Sequence, residues 1–220
     1  MWLQIWITWS TLMHKLSLSA QKWLIFLQVM LPFSLFCQAD WKLSKSEDKL
    51  KLWIKNLDGK DLKQFKLETT IKEDIRTMYR LMRDVENMHL WYDKVKSVKL
   101  LKKINDNEAI YLLGYHLPFP FEDRISTVKG KINFDEKKGV IKVNTEYYSF
   151  DLPENEKNIP VITTLKSSWE ISDKHNGEIL VKHEGYMNPG GNVPVWLVNE
   201  SVTSGPFKSI KNMEKILDKY

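Results

Sequence analysis

Cysteine is nearly absent from this chain of 220 residues, since Cys37 is its single cysteine. A disulfide within the chain and a catalytic thiol beyond residue 37 are therefore excluded. Glycine and proline are also scarce, at nine and eight residues, and no Gly-, Pro- or Ser-rich stretch marks a linker. The length suits one domain with a short extra segment. With 43% hydrophobic residues, the composition supports a sizeable core and excludes an intrinsically disordered chain.

Acidic residues are missing from positions 1–39, in contrast to the rest of the chain. The only strong bases in this segment are Lys15 and Lys22, and a mostly apolar stretch follows over residues 23–36. Basic residues, an apolar stretch and a small residue before the cut together make a secretory signal peptide. We therefore predict that residues 1–39 are a cleaved signal peptide and that the domain of residues 40–220 is periplasmic or secreted.

Other interpretations of this segment stay open. Translation from Met13 would leave residues 13–39, which alone have the length of a normal signal peptide. A retained membrane anchor is the second choice, because the apolar stretch is shorter than the roughly 20 residues of a spanning helix. Lipid attachment at Cys37 fits less well, because the bulky Phe36 precedes it.

Charge and motif patterns point away from several classes of function. The net charge is +5, and the lysines are spread evenly rather than clustered as in a nucleic-acid-binding surface. The sequence contains no Gly-x-Ser-x-Gly motif and no Gly-rich phosphate loop. Its later histidines lack the paired spacing of a zinc site: His89, His116, His175 and His183. We predict a monomer without metal, cofactor, nucleic-acid partner or catalytic residue.

Hydrophobic periodicity predicts the order of elements. Alternating residues at 50–55 and 65–72 indicate two antiparallel strands, and the apolar spacing from Ile75 to Val85 indicates an amphipathic helix. Strand patterns then dominate up to residue 188. They predict six further strands near residues 95–104, 108–117, 122–134, 139–150, 161–172 and 178–188. The predicted class is α+β.

The last segment is predicted to be a long helix. Pro194 suits a first helical position, and apolar residues recur at helical spacing from Leu197 to Leu217. Pro206 follows Gly205 inside this pattern, and a proline there removes a helical hydrogen bond and favours a kink. Strands grouped together with helices at the ends predict one curved antiparallel sheet wrapped around the C-terminal helix.

Several short motifs then point to one family. They are Trp91 with Tyr92 and Asp93; Leu117, Pro118, Phe119 and Pro120 leading into Asp123 and Arg124; Trp169 with Glu170; and GGNVPVWLVN at residues 190–199. In this order, they resemble the START (StAR-related lipid transfer) domains, and the match covers about residues 41–218. The bacterial members that carry a signal peptide are the most similar.

The resemblance implies a helix-grip fold, with a hydrophobic tunnel that binds one lipid and performs no chemistry on it. Because Gly205 and Pro206 interrupt the helix that would cover this tunnel, we also predict that the C-terminal helix gates the tunnel about a hinge at these two residues. Two positions depart from the family pattern. Ile125 stands where an acidic residue would follow Arg124, and Gly130 stands where sterol-carrying members have an arginine inside the tunnel. We therefore do not predict a sterol preference for this chain. The ligand could be a phospholipid, a fatty acid or a sterol-like molecule.

Strand parity and the resemblance together nominate ligand-binding residues. They are Arg124, Gly130, Trp169, His183, Met187, Trp196 and Val202. Arg124 is expected in a structural ion pair at least as readily as on a lipid phosphate. For His183, a satisfied core position is the main alternative. We interpret Trp91 and Trp196 as wedges between helix and sheet rather than ligand platforms.

Two rival functions remain. A helix-grip enzyme of the cyclase type would need polar groups to converge in the tunnel, and the candidates are Arg124, His183, Tyr115 and Tyr148. A scaffold for protein partners would need an exposed apolar patch. Lysines also recur along the last helix at Lys208, Lys211, Lys215 and Lys219. They indicate either a solvated face, which we favour, or a transient contact with an anionic membrane surface.

Overall fold

The computed structural model describes residues 41–57 and 61–220. The predicted signal peptide lies outside these residues. Within them, no helix is both long and apolar enough to cross a membrane.

Nine strands and two α-helices make up the described part of the chain. In chain order they are β1 (Lys42–Glu47), β2 (Leu50–Asn56), β3 (Lys63–Ile71), α1 (Ile75–Arg83), β4 (Val95–Asn105), β5 (Glu108–Tyr115), β6 (Arg124–Asp135), β7 (Val140–Tyr147), β8 (Thr164–Asp173), β9 (Ile179–Asn188) and α2 (Val195–Glu214). Short 3-10 helices add Val85–Leu90, Glu154–Glu156 and Leu217–Lys219.

All nine strands belong to one curved sheet, in the order β1-β2-β3-β9-β8-β7-β6-β5-β4. Each neighbouring pair is antiparallel. Because β3 pairs with β9, the first three strands join the last strand and leave β1 and β4 as the two edges. The α+β class and the single antiparallel sheet with a C-terminal helix are confirmed.

Strand β1 is the element that the sequence did not predict. All six of its side chains are exposed, and it pairs with β2 alone at the edge of the sheet. Because none of these side chains is buried, the strand leaves no apolar alternation in the sequence. Its backbone pairing with β2, which includes a register shift between Leu43 and Lys45, is what defines it.

Helix α1 ends two residues earlier than the apolar spacing predicts. Asp74 caps it by accepting a hydrogen bond of 2.7 Å from the backbone N–H of Arg76. The helix packs on β7 and β8, and its apolar stripe buries Met78 and Leu81. Val85 already belongs to the 3-10 helix that leads towards β4. This 3-10 helix leads directly into Trp91 and Tyr92.

The main core lies between the sheet and the second half of α2. Helix α2 packs on β2, β3 and β9, and its residues Phe207, Ile210 and Met213 are all at most 1% exposed. They belong to one cluster with buried residues of α1 and the central strands. A second, smaller apolar cluster involves β4, β5 and β6, around Leu113 and Val128.

Candidate functional site

A cavity of about 410 Å³ lies between the sheet and the first half of α2. Strands β4 to β9, the 3-10 helix after α1 and residues 197–206 contribute to its wall. Small-molecule sites in proteins range over about 300–1,000 Å³, and they are mostly apolar. The wall here follows that pattern, with apolar side chains that include Leu113, Val128, Ile132, Val143, Leu165 and Met187.

Gly130 lies in this wall on the inner face of β6. A Cβ atom added there would meet only the Tyr111 ring, at 3.6 Å, which is ordinary van der Waals contact. The absence of a side chain at this position therefore leaves open space beside Tyr111. This matches the role that strand parity predicts for Gly130, namely a gap in an otherwise bulky inner face.

Six of the nine residues nominated from sequence as ligand or hinge positions line the cavity: Gly130, Trp169, Met187, Val202, Gly205 and Pro206. Within the described part of the chain, the other three are not part of the cavity wall: Arg124, His183 and Trp196. Whether the six contact a ligand stays a prediction.

Arg124 ties together two loops at one end of the cavity. Its guanidinium donates hydrogen bonds to the backbone carbonyl oxygens of Glu122, at 2.7 Å, and Pro189, at 3.3 Å. It forms no ion pair with any described carboxylate, so the predicted structural ion pair is wrong. These backbone carbonyls satisfy the buried charge, and a Cβ added at Gly191 would lie 3.4 Å from its Nη2.

His183 is fully buried against the cavity wall rather than within it. Its ring stacks on Trp169 with centroids 3.6 Å apart, and its Nε2 lies 3.0 Å from Ser167 Oγ. Burial lowers the pKa of His183 well below the ordinary value of 6.5, so the imidazole is neutral near pH 7. The geometry matches the alternative interpretation of a core histidine, although its buried Nδ1 has no hydrogen-bond partner among the described residues and the position is not fully satisfied.

Two tryptophans that were predicted as wedges behave differently. Trp91 is 4% exposed, packs edge-on against Trp169 with ring centroids 5.8 Å apart and also lines the cavity, so its role as a wedge rather than a ligand platform stays a prediction. Trp196 is 67% exposed, so the wedge prediction for it is wrong. It is the second residue of α2.

Trp196 is one of two strongly exposed aromatic rings that adjoin the cavity wall in sequence. Phe119 is 96% exposed in the loop between β5 and β6. Both rings are close in sequence to residues of the cavity wall, namely Pro118 on one loop and Leu197 on the other. Arg124 joins the two loops, as described above. Two solvent-exposed aromatic side chains are therefore direct sequence neighbours of wall residues.

Three polar side chains also line the cavity: Tyr115, which the sequence analysis considered for an enzyme, and Tyr92 and Ser167, which it did not consider. Burial raises the pKa of Tyr92 to about 12, and the neighbouring Ser167 side chain partly opposes this shift by hydrogen bonding. Burial also raises the pKa of Tyr115, so both phenols are protonated at neutral pH. Ser167 shares strand parity with Leu165 and Trp169, and this alternation was the signal that could have identified it.

Helix α2 continues through Gly205 and Pro206, where the sequence predicts a kink. Pro206 has no N–H to offer the carbonyl oxygen of Val202. Ser209 lies one turn further along the helix, and its hydroxyl donates a hydrogen bond to the Gly205 carbonyl oxygen at 2.9 Å. The same hydroxyl oxygen accepts the backbone N–H of Asp93, also at 2.9 Å. This hydrogen bond joins the helix to Asp93 just beyond the proline.

Comparison with known proteins gives the same fold. The chain is 28% identical over 183 residues to an uncharacterized protein of Pseudomonas aeruginosa, which covers 82% of this chain and 88% of that protein. A STAR-related lipid transfer protein from Xanthomonas axonopodis has a similar structure. Its TM-score is 0.71 at 24% identity, over 81% of this chain and 98% of that one. Human StAR-related lipid transfer protein 5 gives a TM-score of 0.73 at 11% identity, over 91% and 96% of the two chains.

The family model of the START domain matches residues 36–220, which include every residue of the sheet, both helices and the cavity wall. This match spans the motifs at Trp91, at Phe119 and at residues 190–199 from which the resemblance was drawn. The chain belongs to the START domain family.

Proposed function

We propose that this START-domain protein is a non-enzymatic carrier that holds one lipid by its hydrocarbon part inside the cavity. The observation that carries the proposal is about 410 Å³ of space that the protein's own side chains leave open. Protein interiors are normally close-packed, and space of this size with an apolar wall favours a hydrophobic guest. Each buried methylene contributes about 0.8 kcal/mol, so a chain of a dozen carbons offers on the order of 10 kcal/mol before ordering costs.

The placement of the candidate catalytic groups supports a carrier over an enzyme. The guanidinium of Arg124, which is not part of the cavity wall, is occupied by the backbone carbonyls of Glu122 and Pro189, and His183 stacks on Trp169. Tyr148 is 41% exposed. General acid–base or nucleophilic catalysis needs such groups within hydrogen-bonding reach of one reacting atom. Of the four candidates, Tyr115 alone lines the cavity.

The lipid would enter when the first half of α2 moves away from the sheet about Gly205 and Pro206. Support comes from the backbone hydrogen bond that Pro206 cannot make and from the cavity wall formed by residues 197–206. The exposed rings of Phe119 and Trp196 would insert into a membrane surface, because aromatic side chains favour the membrane–water interface. The four lysines of the last segment are exposed, and Lys211 pairs with Glu47, which fits a solvated face.

A binding titration tests the carrier proposal. The delipidated protein should take up one equivalent of a fluorescent fatty acid, and native mass spectrometry should show the one-to-one complex. Gly130→Leu places a side chain in the open space of the wall and should weaken uptake at least tenfold. Asn133→Leu adds the same side chain at an exposed position of the same strand and should leave uptake unchanged. Equal uptake by both variants, or none by the wild type, would contradict the proposal.

A vesicle experiment tests the proposed membrane contact. Phe119→Ser combined with Trp196→Ser should slow transfer of the fatty acid from protein to vesicles while its equilibrium affinity stays the same. Leu43→Ser removes a comparably exposed apolar side chain from edge strand β1 and serves as the control. Equal transfer rates for the wild type, the double variant and Leu43→Ser would show that Phe119 and Trp196 take no part in transfer.

We extend the proposal to the compartment: the domain acts after export, and residues 1–39 are removed. The support is the composition of that segment, with two lysines and no acidic residue before a mostly apolar stretch. The intact mass of protein from the periplasmic fraction or the medium should correspond to a chain that begins at Asp40. A membrane-bound protein of full mass would favour the retained anchor instead.

A further inference from the structure

The cavity runs along the inner face of β5. Ala109, Tyr111, Leu113 and Tyr115 are alternate residues of this strand, and all four line the wall. Six residue steps of about 3.3 Å each place the first and the last of them about 20 Å apart. The cavity is therefore elongated and reaches both ends of β5.

Both ends of this path reach solvent-exposed residues, whereas its middle is apolar. At one end, the wall includes the exposed residues 105–107 around the turn between β4 and β5. At the other end, it includes His116 and Lys94, which are both exposed and are joined by a backbone hydrogen bond of 2.8 Å. The cavity is therefore an apolar path with a polar end on each side.

The first of these ends, called the turn end below, has acidic side chains that are already paired. It consists of the wall residues Arg83, Asp84, Lys103, 105–108 and Lys131. Asp84 accepts hydrogen bonds from two neighbouring side chains, at 2.9 and 2.7 Å. Asp106 forms an ion pair of 2.7 Å with Lys103, and Glu108 forms one of 3.8 Å with Lys129. The carboxylates of the turn end therefore do not call for a cation from a ligand.

Two cations of the turn end, in contrast, have no carboxylate partner. Lys131 is exposed and forms no ion pair with any described carboxylate, because its cross-strand neighbour Glu108 pairs with Lys129 instead. The guanidinium of Arg83 donates a hydrogen bond of 2.9 Å to the backbone carbonyl oxygen of Asp106 and likewise has no ion pair among the described residues. The unpaired charge of the turn end is therefore positive.

We infer that the turn end is a second polar subsite, at which Lys131 and Arg83 receive an anionic group on the far end of the bound chain. The inference rests on the proposed lipid binding and narrows its ligand to chains with a polar group at each end, of which an α,ω-dicarboxylic acid is the simplest. The apolar path holds the hydrocarbon between the two groups. At the opposite end, Asp93 and Lys94 give the wall one charge of each sign, so the preference for an anion belongs to the turn end.

Hexadecanedioic acid and palmitic acid isolate this subsite, because they have the same number of carbons and differ in one terminal group. Displacement of a fluorescent fatty acid from the delipidated protein gives the affinity for each acid. The diacid should bind within about tenfold of palmitic acid, because it loses the burial of only one methyl group. A closed apolar end would bury a carboxylate and weaken the diacid by about a hundredfold or more. A diacid that binds more than tenfold weaker than palmitic acid would overturn the inference and leave lipid binding standing.

Lys131→Gln tests whether the second carboxylate lies at the turn end. It should lower the affinity for the diacid about twofold to fivefold, the range of an exposed ion pair, and leave the affinity for palmitic acid unchanged. Lys137→Gln removes an exposed lysine of the turn between β6 and β7, outside the cavity wall, and should change neither affinity.

Two results with these variants would overturn the inference. One is the same affinity for the diacid in the wild type and Lys131→Gln, and the other is an equal loss for both acids in Lys131→Gln. Failure of the wild type to bind either acid would instead overturn the proposed function itself.

Discussion

The two halves of helix α2 differ in what lies beneath them. Beyond Pro206, Phe207, Ile210 and Met213 are buried in the main core with α1 and the central strands. Before Gly205, Leu197 and Ser201 instead face the cavity. The same helix is therefore an anchor in its second half and a cover in its first half.

This difference separates a part of α2 that stabilises the fold from a part that borders the candidate binding site. Close packing around Ile210 and Met213 stabilises the fold, whereas the open space beneath Leu197 lowers local stability and leaves room for a guest. Regions that move on ligand binding are drawn from the less stable parts of a protein. The missing backbone hydrogen bond at Pro206 lies at the boundary between the two halves.

The largest expected contrast is in the cost of truncating side chains on each half. Ile210→Ala should lower the free energy of unfolding by about 2–5 kcal/mol, because it leaves a cavity in a packed core. Leu197→Ala should lower the free energy of unfolding by only about 1 kcal/mol, because the leucine already borders open space. Urea denaturation of the delipidated variants measures both values. Similar losses for the two variants would show that the halves are equally well packed.

A second contrast concerns pH and separates the core histidine from an exposed one. An unfolded chain binds a proton at His183 near pH 6.5, whereas the folded chain binds it only well below that pH. Because the unfolded state holds more protons in this window, stability should fall as pH decreases below 6.5. The slope from this residue is at most about 1.4 kcal/mol per pH unit.

Stability curves between pH 7 and pH 5 check this prediction. His183→Phe keeps an aromatic ring against Trp169 and should flatten the slope. His175→Gln alters a histidine in the exposed turn before β9, and its slope should match that of the wild type. Identical slopes for the wild type and His183→Phe would mean that His183 is not held neutral by burial.

The smallest expected effect is at the boundary between the halves. Gly205→Ala places a Cβ 3.5 Å from Asp93 Oδ2, an ordinary contact in a helical backbone. It should raise the free energy of unfolding by up to about 1 kcal/mol and slow ligand release, because alanine restricts the helix more than glycine does. Gly177→Ala makes the same change at a φ of 79° and should destabilise the protein. Faster release from Gly205→Ala would contradict a hinge at this position.

Much of the fold could be predicted from the sequence, because a strand or helix with one buried face has apolar residues at a regular spacing. Eight strands and both helices follow from apolar alternation or helical spacing, and their bounds agree with the structure to within a few residues. Strand β1 was not predicted, because every one of its side chains is exposed and only its backbone pairing with β2 defines it. Helix α2 continues through Pro206, where Ser209 contacts Gly205 and Asp93, and the kink expected there stays a prediction.

The site was predicted less completely, because parity gives the face of a strand but not the direction of a long side chain. Gly130, Trp169 and Met187 lie in the wall as their alternation indicates. Arg124 occupies a predicted inward position, but its guanidinium reaches backbone carbonyls of the loop at Pro189. Tyr92 was missed as a wall residue because it lies in the short irregular segment before β4, where no period applies.

A crystal structure of the delipidated protein soaked with a terminally brominated fatty acid tests the central claim most directly. The anomalous signal of bromine locates the end of the hydrocarbon chain without reference to any other feature. The account predicts one peak inside the cavity, among Gly130, Val143 and Leu165. A peak confined to the outer surface, with the cavity closed by the protein's own side chains, would contradict it.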